Sequence, residues 1–279
     1  MKRRRLLWII LSVLLILITG WTIWENCSPQ ITETVIKSAR LPDEFFGYRI
    51  AHISDFHNAQ YGAENQRLLE MLRTAKPDII AITGDFIDSR RTDFDVSLRF
   101  AREAVKIAPV YYCIGNHEAR LMKEFPDFEA KLIACGVNVL RNGQAIITRN
   151  DQTIRIVGVD DPLTATRDKV ENEGVMRHFL SQLELTPDTY TILLTHRPEL
   201  FKTYCDYPLD LILSGHNHGG LIQIPGLGGL FANEEFFPTY DSGLFTQDNT
   251  VMYISRGIGN SSYTFRINNR PELPLLILE

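Results

Sequence analysis

This 279-residue sequence predicts an α/β protein: a four-layer αββα sandwich of two mixed β-sheets flanked by helices, preceded by one N-terminal transmembrane helix. Three observations carry that prediction. Three strand–helix units follow one another between residues 48 and 134, and after Val137 the pattern turns to hairpins and further buried strands. Nineteen residues without a charge, Leu6 to Trp24, stand near the N-terminus. Successive strand–helix units imply a parallel or mostly parallel sheet with helices on its faces. The later strands are accounted for better by a second mixed sheet than by a single doubly wound one.

Lys2, Arg3, Arg4 and Arg5 precede the uncharged run. At ~1.5 Å per residue, that run nearly spans a hydrocarbon core of ~30 Å. A cleaved signal peptide is the main rival, but its apolar region is shorter, about 7–15 residues, and ends in an A-x-A-like site. Here the run ends at Gly20-Trp-Thr-Ile-Trp24, and tryptophans suit a membrane interface. The reading is therefore an uncleaved anchor; the Arg3-Arg4 pair matches a twin-arginine export signal only loosely. Basic flanks stay on the cytoplasmic side. The expected layout is a cytoplasmic tail at 1–5, an anchor in the lipid bilayer at 6–24 and a linker with a first strand at 25–46. The folded domain, 47–279, is expected outside the cytoplasm, on a single-pass protein of the cell membrane.

Within the domain, Ile31 to Ile36 alternates as a strand does. Tyr48–Ser54, Asp78–Thr83 and Val110–Ile114 read as buried strands. Helical patterns follow them: one through Leu68 to Leu72, stopping before Lys76-Pro77, then Phe94–Ile107 and Phe125–Ala134. Val137–Leu140, Gln144–Thr148 and Thr153–Val159 are short strands separated by Asn142-Gly143 and Asn150-Asp151, both hairpin signals. A helix over Lys169–Leu183 precedes strands at Thr191–Thr195 and Leu209–Leu213. The tail alternates further strands, at Leu221–Ile224, Thr250–Ser255, Tyr263–Ile267 and Leu273–Leu278.

Taking the four N-terminal basic residues from the chain's 29 leaves 25 against 34 acidic ones, a net charge of −9 for everything after residue 5. An acidic body argues against general nucleic-acid binding. It does not exclude a phosphate substrate, because bound cations invert the local field. Cys27, Cys113, Cys135 and Cys205 form no C-x-x-C pair, which excludes a zinc ribbon and a thioredoxin-type motif, and Cys113 reads as a small core residue.

The chemistry stands at strand ends. Asp55 and His57 follow the first buried strand, Asp85 and Asp88 the second, Asn116 and His117 the third. His196 ends another, and Leu211–Leu213 runs into Gly215-His216-Asn217-His218. Five of the seven histidines lie at these positions; His52 reads as core and His178 as surface. In sheets of this kind, ligands bind beyond the carboxyl ends of the strands. Nitrogen and oxygen donors without a thiolate suit Mn, Fe, Zn or Ni, and there are too many for one tetrahedral ion. Seven candidates with one bridging carboxylate suit two divalent ions about 3.5–4 Å apart, the spacing that clamps in-line displacement at phosphorus.

D-x-H at Asp55–His57, G-D-x-x-D at Gly84–Asp88, G-N-H-E at Gly115–Glu118, the lone His196 and G-H-x-H at Gly215–His218 together resemble the calcineurin-like metallophosphoesterase family. All five blocks occur in the family's order, over about residues 48 to 220, and the anchored form is similar to a bacterial exported subgroup. The resemblance implies Asp55, His57 and His218 on one metal, Asn116, His196 and His216 on the other, and Asp85 bridging both. It implies that His117 is a catalytic non-ligand beside the phosphate, protonating the leaving group or stabilising the developing charge. Asp88 would orient His117 or a metal-bound imidazole. Glu118 stands where many relatives carry aspartate.

The expected function is hydrolysis of phosphate esters, phosphodiesters favoured, by a hydroxide bridging the two ions. The absence of a G-x-S-x-G elbow or a P-loop agrees with a reaction that needs no protein nucleophile. The enzyme alternative is a lipid or sugar-nucleotide-lipid pyrophosphatase of the cell envelope, for which Leu221, Ile222, Leu227, Leu230, Phe231, Phe236 and Phe237 would form an apolar wall. A non-catalytic, membrane-bound metal scaffold is the alternative of another class. A monomer is expected.

Overall fold

Helix α1 (Lys2–Cys27) contains the uncharged run and continues past it at both ends. Its membrane-length window is wholly unburied by the rest of the chain, and at about 39 Å the helix is long and apolar enough to cross a membrane. The structure, a computed structural model, describes residues 2–232, 235–261 and 265–279.

Strand β1 (Gln30–Ile36) leads to β2 (Arg49–Ile53), α2 (Gln66–Ala75), β3 (Ile79–Thr83) and α3 (Phe94–Ala104). β4 (Val110–Cys113), the short α4 (Asn116–Arg120), α5 (Phe125–Ala134) and β5 (Val137–Val139) complete the strand–helix run. The helix limits have local causes. Lys76 takes a left-handed conformation (φ 47°) that ends α2 just before Pro77. The Asp93 carboxylate accepts from the N–H groups of Asp95 (3.1 Å) and Val96 (3.4 Å), capping α3. Then come β6 (Gly143–Arg149), β7 (Gln152–Gly158), α6 (Asn172–Ser181), β8 (Tyr190–Leu194), α7 (Phe201–Tyr204) and β9 (Leu211–Ser214). Two small hairpins follow, β10 (Gln223–Ile224) with β11 (Gly228–Gly229) and β12 (Phe231–Ala232) with β13 (Glu235–Phe236). β14 (Gly243–Gln247), β15 (Thr250–Ile254) and β16 (Glu272–Leu278) end the chain.

Two six-stranded mixed sheets result, in the orders β1-β16-β2-β3-β4-β5 and β14-β15-β9-β8-β7-β6. In the first, β2, β3, β4 and β5 run parallel while β16 pairs antiparallel to β2. In the second, β7, β8, β9 and β15 run parallel, with antiparallel β6 and β14 at the two edges. Alternation along the strands builds the layers. Ile79 and Ala81 of β3 face Ile192, Leu194, Leu211 and Leu213 of the second sheet in the inter-sheet core. Ile80 and Ile82 point the other way, onto Leu68, Leu72, Phe100, Phe125 and Phe128 of α2, α3 and α5. On the far face of the second sheet, Leu193, Ile212 and Met252 meet Met176, Leu180, Phe201 and Tyr204. This is the αββα sandwich that the strand–helix order predicts. His52 is wholly buried, its Nε2 2.7 Å from Thr83 Oγ1, whereas His178 is exposed.

Four local expectations are corrected. Asn142-Gly143 is no hairpin: it carries the chain from β5 of the first sheet to β6 of the second, and the Asn142 side-chain Oδ1 accepts from Asp160 N–H (2.9 Å). The helix expected over 169–183 splits into a 3-10 turn (Lys169–Glu171) and α6. Of the strand expected at Tyr263–Ile267, residues 263 and 264 lie outside the described residues, and the remainder forms only a single bridge, Ile222 to Ile267. β14 has no counterpart among the expected strands; it is an edge strand whose side chains alternate between half-buried and exposed.

Candidate metal centre

Five strands of the two sheets end on the same side of the molecule, and each delivers polar side chains into the gap between the sheets. β2 gives Asp55 and His57, β3 gives Asp85 and Asp88, β4 gives Asn116 and His117 at the start of α4, β8 gives His196, and β9 gives His216 and His218. All nine are buried except His216 and His218, which are partly so.

The backbone here is strained. Asp55, His57, Asp85, His216 and His218 have φ of 52°, 46°, 51°, 73° and 47°, the left-handed region that non-glycine residues avoid. Such conformations cost of order 1–3 kcal/mol each and cluster where function requires them. The neighbouring glycines leave the space that the carboxylates fill. A Cβ on Gly115 would stand 2.4 Å from Asp85 Oδ1, and one on Gly215 would stand 2.3 Å from Asp55 Oδ2.

The ligand atoms gather in two main groups. One oxygen or nitrogen each from Asp55, His57 and His218 lie within 4.8 Å of one another, and so do those of Asp85, His196 and His216. In the first group, Nε2 of His57 and Nε2 of His218 are 3.3 Å apart, and Asp55 Oδ1 is 3.8 and 3.4 Å from them. Asp85 Oδ2 reaches both groups, 3.2 Å from His196 Nε2 and 3.6 Å from His57 Nε2. The Asn116 carboxamide lies beside the second group, its oxygen 2.9 Å from His216 Nδ1 and 3.3 Å from His196 Nε2. Hydrogen bonding alone would favour the reverse amide orientation; a cation among these nitrogens would favour the oxygen. A third group, His57, Asp88 and His117, overlaps the first through His57.

These residues fit a pair of divalent ions. The Nδ1–H of His196 donates to the Thr83 carbonyl (2.8 Å), which turns Nε2 toward Asp85, as metal-binding imidazoles are commonly held. Burial pushes His57 and His218 down to about 3 and His216 well below its ordinary value, so these rings are neutral, the form that binds metal. Burial opposes charge on His196 too, but the Asp85 carboxylate raises it to about 10. A cation between the two would compete for that proton's place.

His117 is held differently. Its Nδ1 accepts from the backbone N–H of Ser89 (2.9 Å), with Asp88 Oδ1 at 3.5 Å. The proton of the neutral ring is therefore on Nε2, which stands 3.9 Å from Asp85 Oδ2 and 3.3 Å from Ser261 Oγ. Glu118 is wholly buried; its carboxylate accepts from the N–H groups of Asp85 (2.9 Å), Ile87 (3.1 Å) and Gly115 (2.8 Å), tying the β3 and β4 loops together. Burial, with the nearby Asp85 charge, pushes its pKa up to about 7 against the pull of those bonds.

Two arginines behind the rings are absent from the sequence expectations. Arg197 pairs with Asp161 (2.6 Å) and reaches His216 Nε2 (2.9 Å). Arg266, wholly buried, reaches His218 Nδ1 (3.1 Å) and Asn260 Oδ1 (2.7 Å). A signal for the first existed, since Asp161 follows β7 as the other acids follow their strands. Arg266 lies in no regular element, and nothing local marks it. A cavity of about 440 Å³ lies elsewhere, bordered by Thr32, Gln223, Tyr253, Arg256 and Glu272, where Arg256 and Glu272 are paired (3.2 Å). None of the metal-ligand groups found among the described residues borders it.

Candidate nitrogen and oxygen ligands gathered at five strand ends of an αββα sandwich fit a metal-dependent phosphoester hydrolase. Residues 48–220 match the calcineurin-like phosphoesterase family, and the chain belongs to that family. It is similar to YkuE, an uncharacterized metallophosphoesterase of Bacillus subtilis (strain 168), 29% identical over 255 residues that cover 90% of this chain and 85% of that protein. It is 28% identical over 275 residues to the phosphodiesterase YaeI of Escherichia coli (strain K12), covering 93% of each. Among solved structures, TT1561 of Thermus thermophilus superposes with a TM-score of 0.53 at 12% identity, over 76% of this chain and 91% of that one, a likeness of fold alone.

Proposed function

We propose that this chain is a membrane-anchored, dinuclear metal-dependent phosphodiesterase whose domain, residues 47–279, works outside the cytoplasm, with residues 1–5 inside and 6–24 in the bilayer. The observation that carries the metal assignment is Asp85 Oδ2, within 3.2 Å of His196 Nε2 and 3.6 Å of His57 Nε2, between two ligand groups. Asp55, His57 and His218 would hold one ion, Asn116, His196 and His216 the other, and Asp85 both. Two such ions would supply charge neutralisation at phosphorus and a water acidic enough to ionise near neutral pH.

The chain's own residues orient and stabilise. His117, with its proton on Nε2, donates a hydrogen bond to a phosphoryl oxygen. Because Ser89 N–H occupies Nδ1, losing the Nε2 proton would leave an imidazolate, so stabilising charge is favoured over protonating the leaving group. The Ser89 N–H holds that ring, and Glu118 holds the loop that presents Asp85. A scaffold without turnover would need neither the oriented His117 nor its supports. The preference for diesters is supported by the likeness to YaeI, a named phosphodiesterase.

Metal analysis of purified protein, alongside assays on an aryl diester, an aryl monoester and a lipid pyrophosphate, tests this reading. About two equivalents of divalent metal and fastest turnover of the diester are expected. Fastest turnover of the pyrophosphate would establish the envelope alternative instead, and metal without any turnover the scaffold.

A further inference from the structure

Five large apolar side chains in the segments after β9 are exposed: Leu227 (69% exposed), Phe236 (67%), Phe237 (51%), Phe265 (52%) and Ile267 (41%). They belong to one hydrogen-bonded unit. Gln223 N–H donates to the Ile267 carbonyl (3.0 Å) and Ile267 N–H to that of Leu221 (3.2 Å), while Leu230 N–H reaches Ile222 O and Phe237 N–H reaches Leu230 O. Exposed apolar side chains elsewhere on the domain, such as Ile133 and Val170, sit on separate elements.

This unit is fastened to the last turn of α1. The Asn26 side chain exchanges two 2.8 Å hydrogen bonds with the backbone of Arg266, and the buried Glu25 accepts from Asn268 N–H (2.9 Å). The Arg270 guanidinium lies over the Trp24 ring, 4.8 Å from its centroid. Tryptophan and arginine at the end of an apolar helix mark the headgroup level. Asn26 stands only two residues beyond Trp24, about 3 Å along the axis. The stretch bonded to Asn26, and the hairpins bonded to that stretch, are thereby held at the depth of the interface.

We propose that this rim is a membrane-contact surface: Leu227, Phe236, Phe237, Phe265 and Ile267 rest in the headgroup region of the bilayer that holds α1. The inference depends on α1 being an anchor. Large apolar side chains exposed to water are a liability, whereas beside a membrane helix they have a partner. Arg266 of this unit reaches the metal centre at His218, and Ser261, five residues before it in the chain, reaches His117. The bilayer would therefore form one border of the catalytic mouth.

The test uses the full chain in phosphatidylcholine–phosphatidylglycerol vesicles doped with a phospholipid bearing a photoactivatable diazirine on its upper acyl chain. Adducts are mapped by mass spectrometry. Adducts on peptides of α1 and of 221–237 or 265–270, about tenfold above those at Ile133 and Val170, are expected. Adducts on α1 alone would overturn the rim while leaving the anchor intact. Adducts on neither would overturn both. Adducts on α1 alone, from protein that also elutes as a dimer in detergent, would assign the surface to a second copy and overturn the proposal.

Discussion

Nε2 of His196 stands 3.2 Å from Oδ2 of Asp85, while its Nδ1–H is committed to the Thr83 carbonyl. The pair joins the two sheets: β8 of the second presents the ring, and β3 of the first presents the carboxylate and the carbonyl that orients it. Asp85→Asn keeps the shape and removes the charge. Metal content should fall together with activity, the latter by more than about 100-fold, and elemental analysis beside an aryl diester assay reads both. Full metal content in this variant would remove Asp85 from the centre of the assignment.

His117 should separate the two properties. His117→Ala is expected to retain its metal and lose about 10²–10³-fold in turnover, the scale of one lost charge-stabilising donor. Loss of metal would make His117 a ligand, as its grouping with His57 and Asp88 allows, and would break the division of roles.

Glu118 predicts a stability effect. In Glu118→Gln the side chain keeps one carbonyl oxygen for the three N–H groups of Asp85, Ile87 and Gly115, and its own amide protons face those donors. About 1–3 kcal/mol should be lost in detergent-solubilised protein unfolded by urea. Unchanged stability would show that these loops are held by other contacts.

Glu272 gives a pH dependence away from the metal centre. Burial alone would raise its pKa, but Arg256, through charge and hydrogen bonds, holds it below the ordinary value. Its contribution is therefore present above the unfolded carboxyl pKa, about 4.3, and is lost as pH falls through the lower folded value. The stability gap between wild type and Glu272→Gln should be constant from pH 7 to pH 5 and shrink below about pH 4. A gap that widens on acidification would reverse the sign of the interaction.

Topology has its own check. A periplasmic-type reporter enzyme fused after Glu279 should be active only when exported, and activity is expected outside the cytoplasm, in line with Lys2–Arg5 staying inside. Reporter activity on the cytoplasmic side would overturn the orientation.

By itself the sequence determined the layers and the nine polar residues. Buried strands written as short apolar runs end where Asp55, Asp85, Asn116, His196 and His216 begin, and a parallel sheet gathers such ends on one side. Those signals are local, so they survive without a structure. The tertiary structure decided what depends on partners far along the chain. β16 slots between β1 and β2, Asn142-Gly143 crosses between sheets where it imitates a hairpin, and Arg266 reaches His218 from 48 residues away while its backbone meets Asn26 at a separation of 240. Glu118 likewise reads as a variant motif residue until its three backbone donors stand around it. No periodicity or turn chemistry records such contacts, because each exists only once the two sheets have closed on one another and brought the end of α1 against the rim.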